Sequence, residues 1–164
     1  MLGPKLDRID LRILAELQRC GRITNVELAD LVCLSPSPCL ARVKRLEKAG
    51  YISGYSAQVD LNKLGEFLIV FTEVTLAEHR SGDFSRFEKR IAQIDEVIEC
   101  HLVSGGYDYL LKFITRGVAQ YQKLIEHMLA SDFGIDKYFS YIVIKSPFVK
   151  QSLPIQALFG ESES

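Results

Sequence analysis

One stretch decides how the chain folds: residues 34–50, which read LSPSPCLARVKRLEKAG. Ser35 followed by Pro36 predicts the start of a helix, because a serine side chain can cap free backbone amides and proline presets the φ of the first turn. Gly50 predicts the end of the helix, since glycine commonly follows the last helical turn. We therefore expect a helix from Pro36 to about Ala49.

This helix is predicted to be apolar on one face and basic on the others. Leu40, Val43, Leu46 and Ala49 recur at helical spacing on the inward face. The other faces carry polar, small and basic residues: Ser37, Ala41, Arg42, Lys44, Arg45 and Lys48. Residues 36–49 contain four Lys or Arg and one acidic residue, although the whole chain has a formal net charge of −1. Positive charge is therefore concentrated on this helix.

Two more helices are predicted ahead of it. Apolar residues at helical spacing predict a helix from Asp7 to Cys20, and Thr24 with Glu27 forms a capping box that begins a short second helix, ending near Cys33. A packing helix followed by two short helices and a tight turn is the helix-turn-helix layout, whose last helix enters the major groove of DNA. The alternative is a three-helix bundle with a solvated basic face. The clustered charge favours DNA binding.

The predicted DNA-binding residues all lie on or beside the basic helix. They are Ser35, Ser37, Pro38, Ala41, Arg42, Lys44, Arg45 and Lys48. Arg42 and Arg45 are expected to read base edges, with Ser37 and Pro38 close to the bases. The lysines and the N-terminal end of the helix are expected to contact phosphates, which add affinity and salt dependence but little sequence preference.

The rest of the composition limits the other possibilities. Residues 1–60 carry 9 Lys+Arg against 7 Asp+Glu and the remainder carries 11 against 14, so the charge asymmetry along the chain is small. The longest apolar stretch, Phe67 to Phe71, is too short for a membrane span, and we expect a cytoplasmic protein. The four cysteines form no CxxC pair and the three histidines are scattered, so we expect free thiols, no metal site and no cofactor.

The hydrophobic pattern changes after Gly50. Residues 51–55 alternate and predict a short strand, and residues 60–65 predict a linker. Strands are predicted over residues 66–76, 97–104, 107–114 and 137–145, with helices over 83–95 and 118–130. The order βαββαβ predicts an α+β chain: a three-helix, winged helix-turn-helix domain with a linker strand over 1–60, and a ferredoxin-like sandwich with a C-terminal tail over 61–164.

The predicted strands are apolar on both faces. Phe67, Ile69 and Phe71, for example, alternate with Leu68 and Val70. Because the helices of a ferredoxin-like sandwich cover only one face of the sheet, the other face is expected to pack on a second subunit. A dimer also suits the first domain, since two recognition helices on a two-fold axis can read half-sites about 34 Å apart or multiples of that distance.

Gly105 and Gly106 stand in a loop between two of the predicted strands. Paired glycines permit a tight hairpin and leave backbone amides accessible to a ligand. The alternative is an ordinary hairpin turn in which Asp108 is a turn residue. The residues alone leave both possibilities open.

Five segments of the chain resemble the Lrp/AsnC family, the leucine-responsive or feast/famine regulators. They are residues 6–10 (LDRID), 21–25 (GRITN), 34–39 (LSPSPC), 42–47 (RVKRLE) and 99–105 (ECHLVSG). The resemblance implies homodimers joined through the C-terminal sheets, often closing into octamers, with an amino acid bound where dimers meet. It further implies an effector-binding set of Gly105, Gly106, Tyr107, Asp108, Tyr141 and Ile142.

Two positions depart from the family pattern. Cys33 stands where the family usually has glycine, so a left-handed backbone there would be strained. Gly106 replaces a common acidic residue beside the effector pocket. The apolar tail from Ser146 to Phe159 is expected to pack on a neighbouring subunit, unlike the final residues 161–164.

These observations predict a DNA-binding transcription regulator tuned by a small effector, an amino acid. The nearest alternative is an architectural protein that wraps DNA without an effector. An enzyme is a more distant alternative, because Cys100 and His101 form its only tempting pair. Neighbours in a strand point to opposite faces and cannot act together as nucleophile and base, so we expect no catalysis.

Overall fold

The computed structural model describes residues 5–160, which form two compact units. The first unit comprises residues 5–59 and 148–160, and the second comprises residues 60–147. No helix in the described range has both the length and the apolar character to span a membrane.

The elements follow the predicted order. In the first unit they are α1 (Arg8–Arg19), α2 (Asn25–Leu31) and α3 (Pro36–Lys48); in the second β1 (Leu68–Leu76), α4 (Ser81–Ile91), β2 (Val97–Leu102), β3 (Tyr109–Thr115), α5 (Val118–Ala130) and β4 (Ile135–Ile142); and, back in the first, α6 (Ile155–Phe159). A 3₁₀ turn over Leu61–Lys63 lies in the predicted linker.

Two capping boxes begin the first helices. Asp7 Oδ1 accepts a hydrogen bond from the Asp10 N–H at 2.8 Å, and the Asp7 N–H donates to Asp10 Oδ2 at 3.1 Å. The Thr24 and Glu27 box begins α2 as predicted. Each such cap contributes about 1 kcal/mol.

The predicted side-chain cap at Ser35 is wrong, although Pro36 does begin α3. The Ser35 side chain makes no capping hydrogen bond. An N-cap side chain accepts from the second or third helical amide, and here Pro38 removes the third. The Ser35 carbonyl still accepts the first helical bond, from the Cys39 N–H at 3.2 Å.

Two residues that were predicted to lie on the inward face of α3, Val43 and Leu46, do so, but Leu40 and Ala49 do not. Cys39 and Leu46 are buried and Val43 is half-buried, whereas Leu40, predicted to be inward, is 42% exposed. Cys39, Val43 and Leu46 follow the i, i+4, i+7 spacing that packs against Ile13 of α1 and the apolar residues of α2 in one core.

The predicted strand over residues 51–55 is not formed. This segment has no ladder partner among the described residues, and an extended segment needs one to become a strand. The C-terminal tail makes a contact within its own chain, where the Leu153 N–H donates to Gln18 Oε1 of α1 at 2.9 Å. Residues 161–164 lie outside the described range.

The second unit is the predicted ferredoxin-like sandwich. Its four strands form one antiparallel sheet in the order β2-β3-β1-β4. Side chains from alternate positions of β1 and β3, among them Val70, Val74, Leu111 and Phe113, pack with residues of α4 and α5 in a single core. The helices therefore cover one face of the sheet.

The opposite face of this sheet carries apolar side chains that the unit itself does not cover. We call it the open face, and its apolar members are Ile69, Phe71, Leu110, Ile114, Phe139 and Tyr141. Phe139 is 60% exposed and Tyr141 is 51% exposed. The two-faced apolar pattern of the strands is thus confirmed.

Candidate nucleic-acid interface and effector region

The outward side of α3 is a short stripe of small and basic residues. Ser37, Ala41, Lys44 and Lys48 are all exposed and recur at intervals of three and four residues. Ser35 and Pro38 are exposed at the N-terminal end of the helix. The stripe is therefore free to meet a groove.

The two arginines of α3 are not free in the same way. Arg42 Nη1 donates to Asp7 Oδ2 at 2.6 Å and to Asp10 Oδ1 at 2.9 Å, and Arg45 Nη2 donates to Asp10 Oδ2 at 2.6 Å. The sequence-based prediction placed both arginines at base edges and missed these acidic partners. Asp7 and Asp10 stand more than 30 positions away, and their only local signal is an acidic pair at the start of a helix.

The four charges of this cluster compensate one another. The side chain of Asp10 is 1% exposed, that of Arg42 is 27% exposed and that of Arg45 is 48% exposed. The backbone amide of Asp10 and the Arg42 guanidinium lower the pKa of Asp7, while hydrogen bonds to Asp7 and Asp10 raise the pKa of Arg42. The cluster thus holds α3 against α1 and leaves Lys44 and Lys48 as the cations of α3 without an ion pair among residues 5–160.

The turn between α2 and α3 is fixed by side-chain and backbone contacts. Asn25 Nδ2 donates to the Pro36 carbonyl at 2.8 Å, and the Leu34 N–H donates to the Ala29 carbonyl at 2.9 Å. Cys33, between these contacts, has a φ of 58°. The left-handed backbone considered for Cys33 is therefore present. The sequence patterns gave Asn25 no role of its own, and it entered only as the last residue of the 21–25 segment that resembles the family.

The predicted effector residues divide between different surroundings. Gly105 and Gly106 are exposed in the loop between β2 and β3. Asp108 Oδ2 accepts from the Leu76 N–H at 2.8 Å, and His79 Nε2 lies 3.0 Å from both carboxylate oxygens. Asp108 thus ties the loop to the end of β1, as the turn-residue alternative expects.

The remaining predicted effector residues lie on both faces of the sheet. Tyr141 pairs with Phe71 on the open face, whereas Ile142 pairs with Val70 on the helix-covered face. Partial desolvation, together with the nearby Glu73 carboxylate and Tyr107, raises the pKa of Tyr141.

The structure therefore brings Tyr107 and Tyr141 together with Glu73 and separates them from Ile142. Glu73 was missed by the sequence analysis. Its signal was an acidic residue in the middle of an apolar strand.

Cys100 and His101 lie as predicted. Cys100 pairs with Leu111 on the helix-covered face, and His101 pairs with Leu110 on the open face. The two side chains cannot meet.

These features define the class of protein. Helices α1 to α3 have the helix-turn-helix layout with an exposed basic stripe on α3, and residues 6–53 match the model of the winged helix-turn-helix DNA-binding domain. Residues 69–153 match the model of the Lrp/AsnC ligand binding domain. The chain belongs to the Lrp/AsnC family of DNA-binding transcriptional regulators, which confirms the family and the fold predicted from the sequence.

Individual relatives agree over nearly the whole chain. The transcriptional regulatory protein DoeX of Halomonas elongata is 48% identical over 87% of this chain and 90% of DoeX. The leucine-responsive regulatory protein of Escherichia coli is 45% identical over 92% of this chain and 90% of that protein. The crystal structure of the transcriptional regulator NMB0573 of Neisseria meningitidis in complex with L-Met has a TM-score of 0.87 at 34% identity, covering 94% of this chain and 99% of that one.

Proposed function

We propose that this regulator is a sequence-specific DNA-binding protein of the cytoplasm whose assembly and DNA affinity respond to an amino acid, and that it catalyses no reaction. The observation that carries the proposal is the exposed Ser37, Ala41, Lys44 and Lys48 stripe on a helix that is fixed to its own unit. The Lrp/AsnC ligand-binding domain, which follows this helix in the sequence, supports regulation by a small molecule.

The structure changes the roles that we propose for the residues of α3. Ser37, Pro38, Ala41 and Arg45 face the bases in the proposal. Lys44, Lys48 and Ser35 contact phosphates. Arg42 has its Nη1 on two carboxylates and only 27% of its side chain exposed, so we assign it to holding α3 rather than to reading bases.

The proposed assembly is a dimer through the open face, closing further to an octamer. The support is the exposure of large apolar side chains such as Phe139 and Tyr141 on that face. Pairing two chains supplies two recognition helices, which match half-sites about 34 Å apart or multiples of that distance.

The proposed effector is a free amino acid bound near the loop between β2 and β3. Exposed backbone amides at Gly105 and Gly106 suit its carboxylate, and an acidic side chain must take its ammonium. Asp108 is already bonded to Leu76 and His79, so Glu73, beside Tyr107 and Tyr141, is a second candidate. The L-Met complex of the Neisseria meningitidis regulator supports this ligand class.

The test combines DNA binding with an amino-acid screen. A duplex selected from a randomised pool is compared with a random duplex in fluorescence anisotropy, with each of the common amino acids added in turn. We expect a large preference for the selected duplex and a change in its affinity, or in the sedimentation of the protein, with at least one amino acid.

The architectural alternative predicts another result. A protein that only wraps DNA binds both duplexes with similar affinity, and no amino acid changes its binding or its assembly. That outcome would replace the proposal.

A further inference from the structure

The side chain of Asp10 is a buried carboxylate that contacts both arginines of the recognition helix. It is 1% exposed and accepts from Arg42 Nη1, Arg45 Nη2 and the Asp7 N–H at 2.9, 2.6 and 3.1 Å. A buried carboxylate is costly unless it is paired and hydrogen-bonded, and here both oxygens are used. The pairing joins the N-terminal turn of α1 to the middle of α3.

Arg45 is held at one end of its guanidinium only. Its bond to Asp10 uses Nη2, and 48% of its side chain is exposed. A guanidinium is a rigid planar fork, so anchoring one nitrogen limits the directions in which the other N–H groups can point. Arg45 follows Ala41 by four residues and precedes Lys48 by three, which places it beside the exposed stripe.

We propose that Asp10 is a positioning residue for DNA recognition: it holds Arg45 so that the remaining N–H groups of the guanidinium face the bases. This inference rests on the proposed base contact of Arg45. A side chain that is already fixed loses less conformational entropy when it binds, and its fork meets a planar partner such as guanine in one orientation.

Arg42 completes the arrangement through its charge. It bridges Asp7 and Asp10, so the cluster contains two carboxylates and two guanidiniums. The positive charge of Arg42 compensates the negative charge of the Asp7 carboxylate. Arg45 therefore has only Asp10 as an acidic partner in the cluster, and its remaining N–H groups can interact with DNA.

The first experiment measures the ratio of affinities for a duplex selected by the wild-type protein and a random duplex of equal length. For Asp10→Asn we expect about a tenfold loss of this ratio, with affinity for the random duplex not reduced, because a bidentate base contact contributes discrimination of this order. Arg45→Ala should lower the affinity ratio by a similar factor. The double variant should lower it no further than either single variant does.

Asp7→Asn is the matched control. It removes a carboxylate from the same cluster but leaves the Arg45 to Asp10 bond in place, and asparagine can still cap α1. Its affinity ratio should equal that of the wild type. Thermal unfolding of each variant is recorded first, so that a loss of fold is recognised.

A second measurement needs no variant. We expect the Arg45 guanidinium ¹⁵N signals of the wild-type protein to report slow rotation about Nε–Cζ both without DNA and with the selected duplex. Free rotation without DNA would overturn the inference even if Asp10→Asn does not fold.

The other outcomes separate the two proposals. If Arg45→Ala keeps the wild-type ratio, the base contact of Arg45 fails and the inference fails with it. If Arg45→Ala lowers the ratio but a folded Asp10→Asn does not, or lowers affinity for both duplexes equally, the positioning role alone is overturned.

Discussion

Cys33 is a residue whose backbone conformation does not suit its side chain. Its φ of 58° lies in the left-handed region, which costs an L-residue about 1 to 2 kcal/mol relative to glycine. Glycine loses part of that gain through the larger entropy of its unfolded state. We expect Cys33→Gly to raise the free energy of unfolding by up to about 1 kcal/mol, measured by urea denaturation.

Cys20 provides the matched control for this substitution. It is exposed like Cys33, but its φ is −144°, which any residue adopts. Cys20→Gly should therefore lower stability slightly, because it only adds freedom to the unfolded chain. Equal effects of the two substitutions would mean that the turn at Cys33 carries no strain.

The recognition helix α3 carries less free charge than its composition indicates, since its arginines are paired with Asp7 and Asp10. Lys44→Ala should reduce the slope of log K against log salt by about 0.9 for each lost phosphate contact. Arg42→Met should leave this slope unchanged while lowering the free energy of unfolding. Titrations with a random duplex at several salt concentrations measure this slope. If Arg42→Met reduces the slope more than Lys44→Ala does, the assigned roles are contradicted.

The Asp7 carboxyl at the start of α1 makes the stability of the first unit depend on pH in the acidic range. Because the folded-state pKa of Asp7 is lowered, its contribution is present above the unfolded value near 3.8 and is lost as the pH falls through the folded value. Asp7→Asn removes this pH-dependent contribution to stability, but the asparagine side chain can still cap α1. In urea denaturation we expect the variant to be less stable than the wild type at pH 7, and the difference to shrink as the pH falls below the unfolded value. A constant difference at every pH would contradict the assignment.

The contrast between α1, α2 and α3 shows what sequence patterns can predict. Each of the two capping boxes depends on residues only three positions apart, so a local sequence pattern is enough to indicate it. On α3, Val43 and Leu46 were predicted correctly as inward, but Leu40 was predicted in place of Cys39, because helical spacing fits both and only packing against α1 and α2 distinguishes them. The partners of Arg42 and Arg45 depend on contacts across the unit, which no local period records.

The same division holds for the second unit. Period-two alternation predicted both faces of the sheet, and the element order predicted the topology. The separation of Tyr141 from Ile142 also follows from this alternation, since neighbours in a strand point to opposite faces. The surroundings of Asp108, by contrast, depend on the contact of its loop with the end of β1, which no local pattern records.

At the scale of the whole molecule, the open face exposes apolar side chains that a single chain does not bury. Phe139 is 60% exposed there, next to the pair of Phe71 and Tyr141. Burial of large apolar side chains drives subunit association, and a charge at the centre of such an interface opposes it. We expect Phe139→Asp to reduce the mass measured by sedimentation equilibrium toward that of one chain, while circular dichroism stays that of the folded protein.

Leu129 on α5 controls for the general effect of adding a charge. It is 47% exposed, but it lies on a helix on the opposite side of the sheet from Phe139. Leu129→Asp should keep the mass of the wild type. If only Leu129→Asp dissociates the protein, the subunits contact each other through the helices. If Phe139→Asp dissociates it, DNA affinity should fall together with the mass, because a dimer presents two recognition helices and binds the second half-site at a high effective concentration.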